Sequence, residues 1–457
     1  MRKKYWNTLV AIALLGALWA GFRYYDKRKA REAEKTELKP AEKALAVESD
    51  RIRSFTLTPR DGEAFTCARD GKTWVISEPR KLAADQTSVS SWLGSLTSAT
   101  IDDVVDAHPS NLKDYGLDPP ATVIELSTET KPANFTLRLG DQTPTSSGVY
   151  AQIGANPRVV SLPSYDKSSL EKTLFDLRDK RAVTLDIDQI NRIEAQSKDK
   201  RWTLEKNPDG VWDLALPPPV RADRSSVDST VSQLRNLTMQ AVVSEDKKEP
   251  GKYGLDSPTL RVTMKAPQDT QTLVLGKKDG ERYDAMNSAL DPIFTVDNYF
   301  LTQLQKDPAD LRDKALFSFS TFDVKQLELD TPKGHWAFEQ QNNKWKETQP
   351  KAKDVPNGKM DTLVNAVRAL RADSFPKASA ADLAAFGLNK SPYSFKVQFG
   401  DKKQTEIVQA AKVGDKVYAR RDTDPLPSQL AATALDDIEK ALAELRASRR
   451  HCLVAGV

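Results

Sequence analysis

Three copies of one sequence pattern constrain this chain more than any other feature. A tryptophan inside a short strand-like segment recurs three times, and a glycine within an aromatic-Gly-Leu sequence follows each tryptophan at one constant spacing. The pairs are Trp74 with Gly116, Trp212 with Gly254, and Trp345 with Gly387. Equal spacings in three places predict that one folding unit is repeated in tandem.

Other features keep the same register and set the limits of the copies. Leu-Arg sequences stand near the end of each copy, at 177–178, 311–312 and 445–446, and the first two continue with Asp-Lys. A tyrosine in a short alternating segment also recurs, as Tyr150, Tyr283 and Tyr418. We therefore predict repeats over residues 51–184, 185–319 and 320–450, with a tail at 451–457 outside the pattern.

Local signals predict the order of elements within a copy. Each copy opens with an alternating apolar strand, makes a hairpin turn and continues into the tryptophan strand. The turns are Asp70-Gly71, Asp209-Gly210 and Asn342-Asn343, pairs that tolerate the positive φ angles of tight hairpins. An amphipathic helix follows, and the residue expected to cap it is Asp85, Asp223 or Asn357.

The glycine of each pair is predicted to end a short helix. Glycine adopts the left-handed conformation that follows a helix, the next leucine folds back, and a proline comes soon after. Alternating strands then resume, and a patterned helix closes the copy. An antiparallel sheet with flanking helices buries both apolar faces, so we predict an α+β fold of three tandem repeats.

The recurring tryptophans and glycines admit two interpretations. Copies that share a core must fill the same interior, so we assign the tryptophans to packing and the glycines to chain turns. The alternative is a ligand site that is repeated three times.

The sequence lacks the residue patterns of common catalytic and metal sites. Its histidines and cysteines, none with ligand-like spacing, are His108, His335, His451, Cys67 and Cys452. It contains no phosphate loop, dinucleotide-binding turn or nucleophile elbow. Adjacent carboxylates such as Asp102-Asp103 and Asp436-Asp437 are typical of solvated surfaces. We therefore predict no enzyme activity, no catalytic residue, no metal and no cofactor.

Charge argues against a nucleic-acid partner. Lys and Arg total 68 against 64 Asp and Glu, which gives a formal net charge of +4. These charges are spread along the chain, whereas nucleic-acid binding requires a localised basic surface.

Residues 5–22 carry no charge and would span about 27 Å as a helix. Basic residues precede them and aromatic residues lie near both ends, so we predict a transmembrane helix, with a cleaved signal peptide as the alternative. Residues 23–50 are charged and rich in alanine, and we predict a stalk. Counting basic residues on both sides of the span favours a cytoplasmic body, although large domains can cross despite flanking charge.

The N-terminal segment, the tryptophan strand, the capped helix and the sequences YGLDPP, YGLDSP and FGLNKSP together resemble a known family. It is a bacterial domain-of-unknown-function family, found as repeats in membrane-anchored proteins and commonly encoded beside ABC transporters of the gliding-motility type. The third copy departs from the family pattern, with Asn389 in place of the acid. The resemblance implies a non-catalytic envelope protein in the inner membrane, with a periplasmic body and a transporter permease and ATPase as partners.

Three hypotheses of different classes follow for the function, and the third is the weakest. The first is an accessory or scaffold subunit of an ABC transporter. The second is an extracytoplasmic binding module for a cell-envelope polymer or lipid, with the ligand unknown. The third, an envelope hydrolase, would need a deep pocket with converging carboxylates.

Overall fold

The computed structural model describes residues 19, 21–29, 42–129, 133–299 and 304–447. The chain separates into two compact units, Met1–Lys180 and Arg181–Val457. The first unit contains one antiparallel sheet, and the second contains two.

The first sheet has nine strands in the order β4-β3-β2-β1-β6-β7-β8-β9-β5. Its strands are β1 Ile52–Pro59, β2 Phe65–Asp70, β3 Thr73–Glu78, β4 Leu82–Ala83, β5 Asp103–Asp106, β6 Thr122–Thr128, β7 Asn134–Gln142, β8 Gly148–Ile153 and β9 Val159–Pro163. Consecutive strands are joined by hairpins on both sides of β1, and β1 itself pairs with β6. The two edge strands, β4 and β5, are also the shortest, and a helix connects them.

The second and third sheets repeat this strand order, which confirms that sheets are repeated in tandem. The second sheet consists of β10 Arg192–Ser197, β11 Arg201–Lys206, β12 Trp212–Leu214, β13 Val220–Arg221, β14 Ala241–Ser244, β15 Leu260–Lys265, β16 Thr270–Asp279, β17 Arg282–Asn287 and β18 Ile293–Asp297. The third consists of β19 Val324–Thr331, β20 Gly334–Gln341, β21 Lys344–Gln349, β22 Lys353–Val355, β23 Ala372–Ser374, β24 Tyr393–Phe399, β25 Gln404–Val413, β26 Lys416–Arg421 and β27 Asp424–Leu430.

Six helices accompany the sheets in the described part of the chain. They are α1 Gln86–Ser98, α2 Ser164–Leu170, α3 Leu174–Leu177, α4 Arg224–Asn236, α5 Asn357–Arg368 and α6 Asp436–Ala447. The predicted caps of the first two long helices are present, because Asp85 accepts from Ser88 N and Asp223 from Ser226 N, both at 2.8 Å. Each long helix buries an apolar stripe against its sheet, such as Met360, Leu363 and Val367 in α5.

Strand side chains supply most of each core. In the first unit, Phe55 contacts both Trp74 and Trp92, with ring centroids 5.4 and 4.3 Å apart. In the core beneath the third sheet, Phe317 and Phe319, which precede β19, meet edge to face at 5.3 Å. Alternation along the strands explains this arrangement, since β6 and β24 each present every second residue to the interior.

The predicted α+β class is wrong, because strand accounts for 42% of the described structure and helix for 24%. Three nine-stranded antiparallel sheets make the chain mostly β. The edge strands of two to four residues carry no alternation that a sequence pattern can detect. The predicted closing helix is broken into α2 and α3 in the first copy, and the described residues of the second copy show helical conformation at Tyr299 and Leu304 and a 3-10 turn at Pro308–Leu311.

The predicted transmembrane helix over 5–22 lies outside the described residues, except for Trp19, Gly21 and Phe22. Residues 21–29 are helical. Among the residues that the structure describes, no helix has the length and apolar character needed to cross a bilayer.

A short segment enters each sheet in the same way, and we call these the entry segments: 42–47, 181–185 and 315–319. Each begins with an isolated antiparallel bridge, Lys43↔Thr100, Arg181↔Thr238 or Ala315↔Arg371. The next residue donates its N–H to a carbonyl, in the pairs Ala44 to Ala99, Ala182 to Leu237 and Leu316 to Leu370, at 2.8 to 3.0 Å. Residues 42–47, which lie within the predicted stalk, therefore contribute Ala44, Leu45 and Val47 to the first core.

The first unit also buries a carboxyl group. Asp166, in α2, is 3% exposed, and its Oδ2 has no hydrogen-bond partner among the described residues. Burial raises the pKa of Asp166 to about 6, and the charge of Asp102 adds to the effect. An ionised Asp166 therefore destabilises the fold.

We expect Asp166→Asn to stabilise the first unit by roughly 2 kcal/mol at pH 7.5 and to lose this advantage near pH 4. The folded pKa lies above the ordinary value, so the stability that depends on the protonated carboxyl is complete below about pH 4 and is lost as the pH rises through about 6. Urea unfolding at several pH values measures the difference. Asp61→Asn, at an exposed site, is the control. A stability gain of equal size at both pH values would contradict this account.

Candidate functional site

The three recurring tryptophans do not share one environment. Trp74 and Trp345 are buried, at 4% and 3% exposure. Trp212 is only half-buried, and Lys206 Nζ lies over its ring at 5.2 Å from the centroid. The interior of the second sheet is instead filled by another tryptophan, Trp202, which is 3% exposed.

The first residue of the following helix explains part of this difference. Gln86 accepts from Trp74 N and donates to Trp74 O, both at 2.8 Å, and Asn357 accepts from Trp345 N at 3.3 Å. The corresponding residue after Trp212 is Arg224, whose side chain is 95% exposed. The predicted cap Asn357 is thus a helix residue that holds the neighbouring strand, and Pro356 precedes it.

The recurring glycines end 3-10 turns in the left-handed conformation. Gly116, Gly254 and Gly387 have φ values of 64°, 70° and 70°. The leucine after each glycine closes the turn by donating its N–H to an earlier carbonyl, at 2.9 to 3.0 Å. These leucines are 1 to 3% exposed, so the turn is pinned to the sheet.

The sheet has its own glycine opposite the turn, which the sequence pattern did not identify. A Cβ at Gly140 would overlap the carbonyl oxygen of Tyr115, and one at Gly276 would overlap that of Tyr253. In the third copy Ala411 takes this place and contacts the position of Gly387. The detectable signal was the recurrence of a small residue in β7, β16 and β25.

In two copies a tryptophan indole donates a hydrogen bond to an equivalent backbone carbonyl, but the tryptophan belongs to a different element in each copy. Trp92, in α1, donates to Leu170 O at 3.0 Å, and Trp202, in β11, donates to Leu304 O at 3.1 Å. Both bonds are buried, so each removes the cost of an unpaired carbonyl.

Within the second unit, charged side chains join the second and third sheets. We call this cluster the ionic joint; its members are Arg221, Arg312, Asp313, Glu406, Arg421 and Asp424. Arg312 and Asp424 form its deepest pair, at 2.9 Å with side-chain exposures of 4% and 5%. Arg312 also donates to Leu426 O at 2.8 Å and lies over the Phe375 ring at 4.2 Å.

The second half of the ionic joint holds the entry segment of the third sheet. Arg221 Nε is 2.7 Å from Asp313 Oδ2, and Arg421 Nη2 donates to the carbonyls of Asp313 and Ala315 at 2.9 and 2.7 Å. Glu406 accepts from Ser318 N at 2.8 Å. The recurring Leu-Arg-Asp-Lys sequence at 311–314 therefore serves to connect two sheets.

Burial of the charged side chains in the ionic joint has an energetic cost. It lowers the pKa of Arg421 to about 10, with a further contribution from Arg221, and it also lowers the pKa of Arg312. The Nε atoms of Arg312 and Arg421 have no partner within the described residues. We expect such a network to add little net stability and to act mainly on the register of the two sheets.

The entry segment of the second sheet is held by neutral groups at the corresponding positions. Asn287 donates to Ala182 O at 2.8 Å, whereas Arg421 donates to Ala315 O, which lies one residue earlier in its entry segment. Gln271 donates to Thr184 Oγ1 at 2.9 Å and accepts from Thr184 N at 3.1 Å. The same backbone attachment is thus made with amides in one sheet and with charges in the other.

The described residues show no arrangement suited to nucleophilic or metal chemistry. Burial raises the pKa of Cys67 to about 12, so its thiol is not a nucleophile. His335 Nδ1 lies 2.7 Å from Asp330 Oδ1 at an exposed position. No group of three or more potential metal ligands occurs in the part of the chain that is described.

A polar cleft of about 550 Å³ lies in the second unit beside the turn between β10 and β11. Its lining is Ser197, Lys198, Asp199, Lys200, Ser257, Pro258, Thr259 and Gln305. Lys200 Nζ is 3.2 Å from Asp307 Oδ2. The hydroxyl, amide and ammonium groups of this lining suit the binding of a polar ligand.

A family model described as a domain of unknown function, DUF4340, matches residues 74–218 and 212–390. The two matches together cover more than half of the chain. Each begins at a recurring tryptophan, Trp74 or Trp212, so the matched unit is offset from the sheets, which begin one hairpin earlier. No curated protein and no solved structure matches the chain.

We expect Gly276→Ala to destabilise the second sheet by roughly 2 to 3 kcal/mol, because its Cβ would overlap Tyr253 O and push the glycine turn off the strand. Hydrogen exchange over β15 to β17 measures the loss. Gly358→Ala, in the first turn of α5 with nothing near its Cβ, should be neutral or slightly stabilising. Equal exchange in the two variants would contradict the close approach.

We expect Arg312→Ala to cost about 3 to 5 kcal/mol in the second unit, because Asp424 would stay buried without its partner. Replacing both residues, as Arg312→Met with Asp424→Leu, should recover most of that loss. Urea unfolding measures the effect. Arg282→Ala, which breaks an exposed pair with Asp297, should change stability by less than about 1 kcal/mol. A double variant no better than Arg312→Ala would show that the charges are not the cause.

Proposed function

The chain belongs to the DUF4340 family, and we propose that it is a non-catalytic envelope protein that serves as an accessory or scaffold subunit of an ABC transporter. The proposal places it at the bacterial inner membrane, with its sheets on the periplasmic side. Its partners would be the permease and ATPase subunits of the transporter.

The ionic joint is the observation that carries this proposal. Of the six side chains in the joint, Arg312, Arg421 and Asp424 are at most 5% exposed, and together the six hold two sheets in one register. A buried, balanced network of this kind suits a part whose task is to hold shape. The recurring glycines and tryptophans likewise serve turns and packing, which leaves the outer surfaces for partners.

Sequence features support the membrane location. Residues 5–22 are uncharged and follow the basic residues Arg2, Lys3 and Lys4. Apolar segments with basic flanks favour attachment to a membrane. The resemblance to proteins encoded beside ABC transporters supports the identity of the partners.

A second candidate, a binding module for an envelope polymer or lipid, is favoured by the polar cleft beside β10 and β11. Lys198 and Lys200 would attract an anionic group there, and Ser257 and Thr259 offer hydroxyl partners. The two candidates differ in a direct way, since a scaffold does not bind isolated cell-wall or lipid fractions.

The scaffold proposal is tested by purifying the tagged full-length chain from membranes in a mild detergent. We expect an ABC permease and an ATPase to co-purify in constant ratio, because a scaffold subunit stays bound to its complex. Arg282→Ala is a suitable control, since it alters only an exposed pair. Recovery of the chain alone in several detergents, or direct binding to cell-wall or lipid fractions, would count against the proposal.

A further inference from the structure

The third sheet shows how a sheet of this chain receives an arginine from the segment that precedes it. The guanidinium of Arg312 is held by Asp424 Oδ2 and by Leu426 O, and it stacks on Phe375. The first two contacts come from the start of β27, and the third comes from the residue after β23. The receiving surface is therefore the edge of the sheet formed by β23 and β27.

The first sheet has the same edge, formed by β5 and β9. Ser374 pairs with Gln429 in the third sheet, and Asp103 pairs with Ser161 in the first. The residues that follow Ser374 and Asp103 are Phe375 and Val104, and each stands four positions after the residue that bridges to the entry segment. Val104 is thus the counterpart of Phe375.

Counting back along the paired strands, Leu426 corresponds to Arg158 and Asp424 to Asn156. A shared local bond supports this correspondence. Asp424 Oδ1 accepts from Leu426 N at 3.1 Å, and Asn156 Oδ1 accepts from Arg158 N at 3.1 Å. The first sheet therefore contains the same turn that, in the third sheet, places the Leu426 carbonyl against Arg312.

Exposure distinguishes the two edges. In the third sheet Asp424 is 3% exposed beneath the segment that delivers Arg312. In the first sheet Asn156 is exposed, and Val104 and Val105 are 42% and 41% exposed. An exposed apolar pair on an edge strand is typical of a site that pairs with another chain.

The charge of the first edge is suited to a basic partner. Asp102, Asp103 and Asp106 lie on or beside β5, and the corresponding residues of the third sheet are Asp373, Ser374 and Lys377. The nearby cation Arg158 is already paired with Glu42 at 2.6 Å. A guanidinium at this edge would therefore meet acidic groups, an apolar side chain and a formed turn.

We propose that the β5–β9 edge of the first sheet, formed by Asp103, Val104, Asn156 and Arg158, binds an extended, arginine-bearing segment of a partner protein, as the third sheet binds Arg312. This deepens the proposed scaffold role, on which it rests for the existence of a partner, by naming the surface that the partner occupies. Within the described residues, the arginines of the recurring Leu-Arg sequence, Arg178 and Arg312, are 5% and 4% exposed, so a second copy of the chain cannot offer either of them to this edge.

The test uses the purified full-length chain and a fluorescent peptide with the sequence of residues 307–316, which delivers Arg312 in the third sheet. We expect saturable binding by fluorescence anisotropy, and a peptide carrying Arg312→Ala should bind about tenfold more weakly. Val104→Arg in the chain should abolish binding. Val413→Arg, which alters an equally exposed valine of the third sheet, is the matched control and should leave binding unchanged.

Equal affinity for the two peptides, no saturable binding, or equal losses in the Val104→Arg and Val413→Arg chains would overturn the proposal. Self-association that Val104→Arg removes would assign the edge to a second copy and would also overturn it. The assay contains no transporter subunit, so its failure beside intact co-purification affects only this edge. Peptide binding without co-purification would instead count against the scaffold role.

Discussion

Backbone pairing between each entry segment and its sheet is the contact on which the rest of the architecture depends. Three N–H groups, those of Ala44, Ala182 and Leu316, donate to carbonyls that follow the long helix of each repeat. Each of these bonds holds a segment that precedes β1, β10 or β19 against the core of the sheet that follows. Because the core of a repeat includes residues that precede its first strand, a repeat cannot be cut at that strand without leaving a gap in its interior.

The second unit shows how such a connection acquires a fixed geometry. Backbone hydrogen bonds attach the segment at 315–319. Arg312 and Arg421 add buried charges whose partners lie at single positions. Buried ions tolerate misplacement poorly, because a shifted partner leaves an uncompensated charge. The neutral amides Gln271 and Asn287 make the same attachment with less penalty. Charge in the third sheet therefore contributes specificity of register more than stability.

The recurring residues that first suggest a binding site have structural roles instead. The glycines of the aromatic-Gly-Leu turns have positive φ and face a strand that approaches too closely for a Cβ. Two of the three tryptophans are buried in cores. What differs among the copies is their surface, such as the exposed Val104 against the partly buried Phe375.

The tandem repetition, the hairpin turns, the apolar stripes of the long helices and the glycine turns can be read from the sequence, because they depend on local φ angles and on periodicity. The fold class could be assigned only from the folded chain, since β4 and β5 become strands through their neighbours rather than through a pattern of their own. The same holds for three tertiary contacts: Trp202 rather than Trp212 fills the interior of the second sheet, Gly276 lies too close to Tyr253 O for a side chain, and Arg312 pairs with Asp424. Those outcomes depend on contacts between residues far apart in the chain, which spacing along the sequence does not encode.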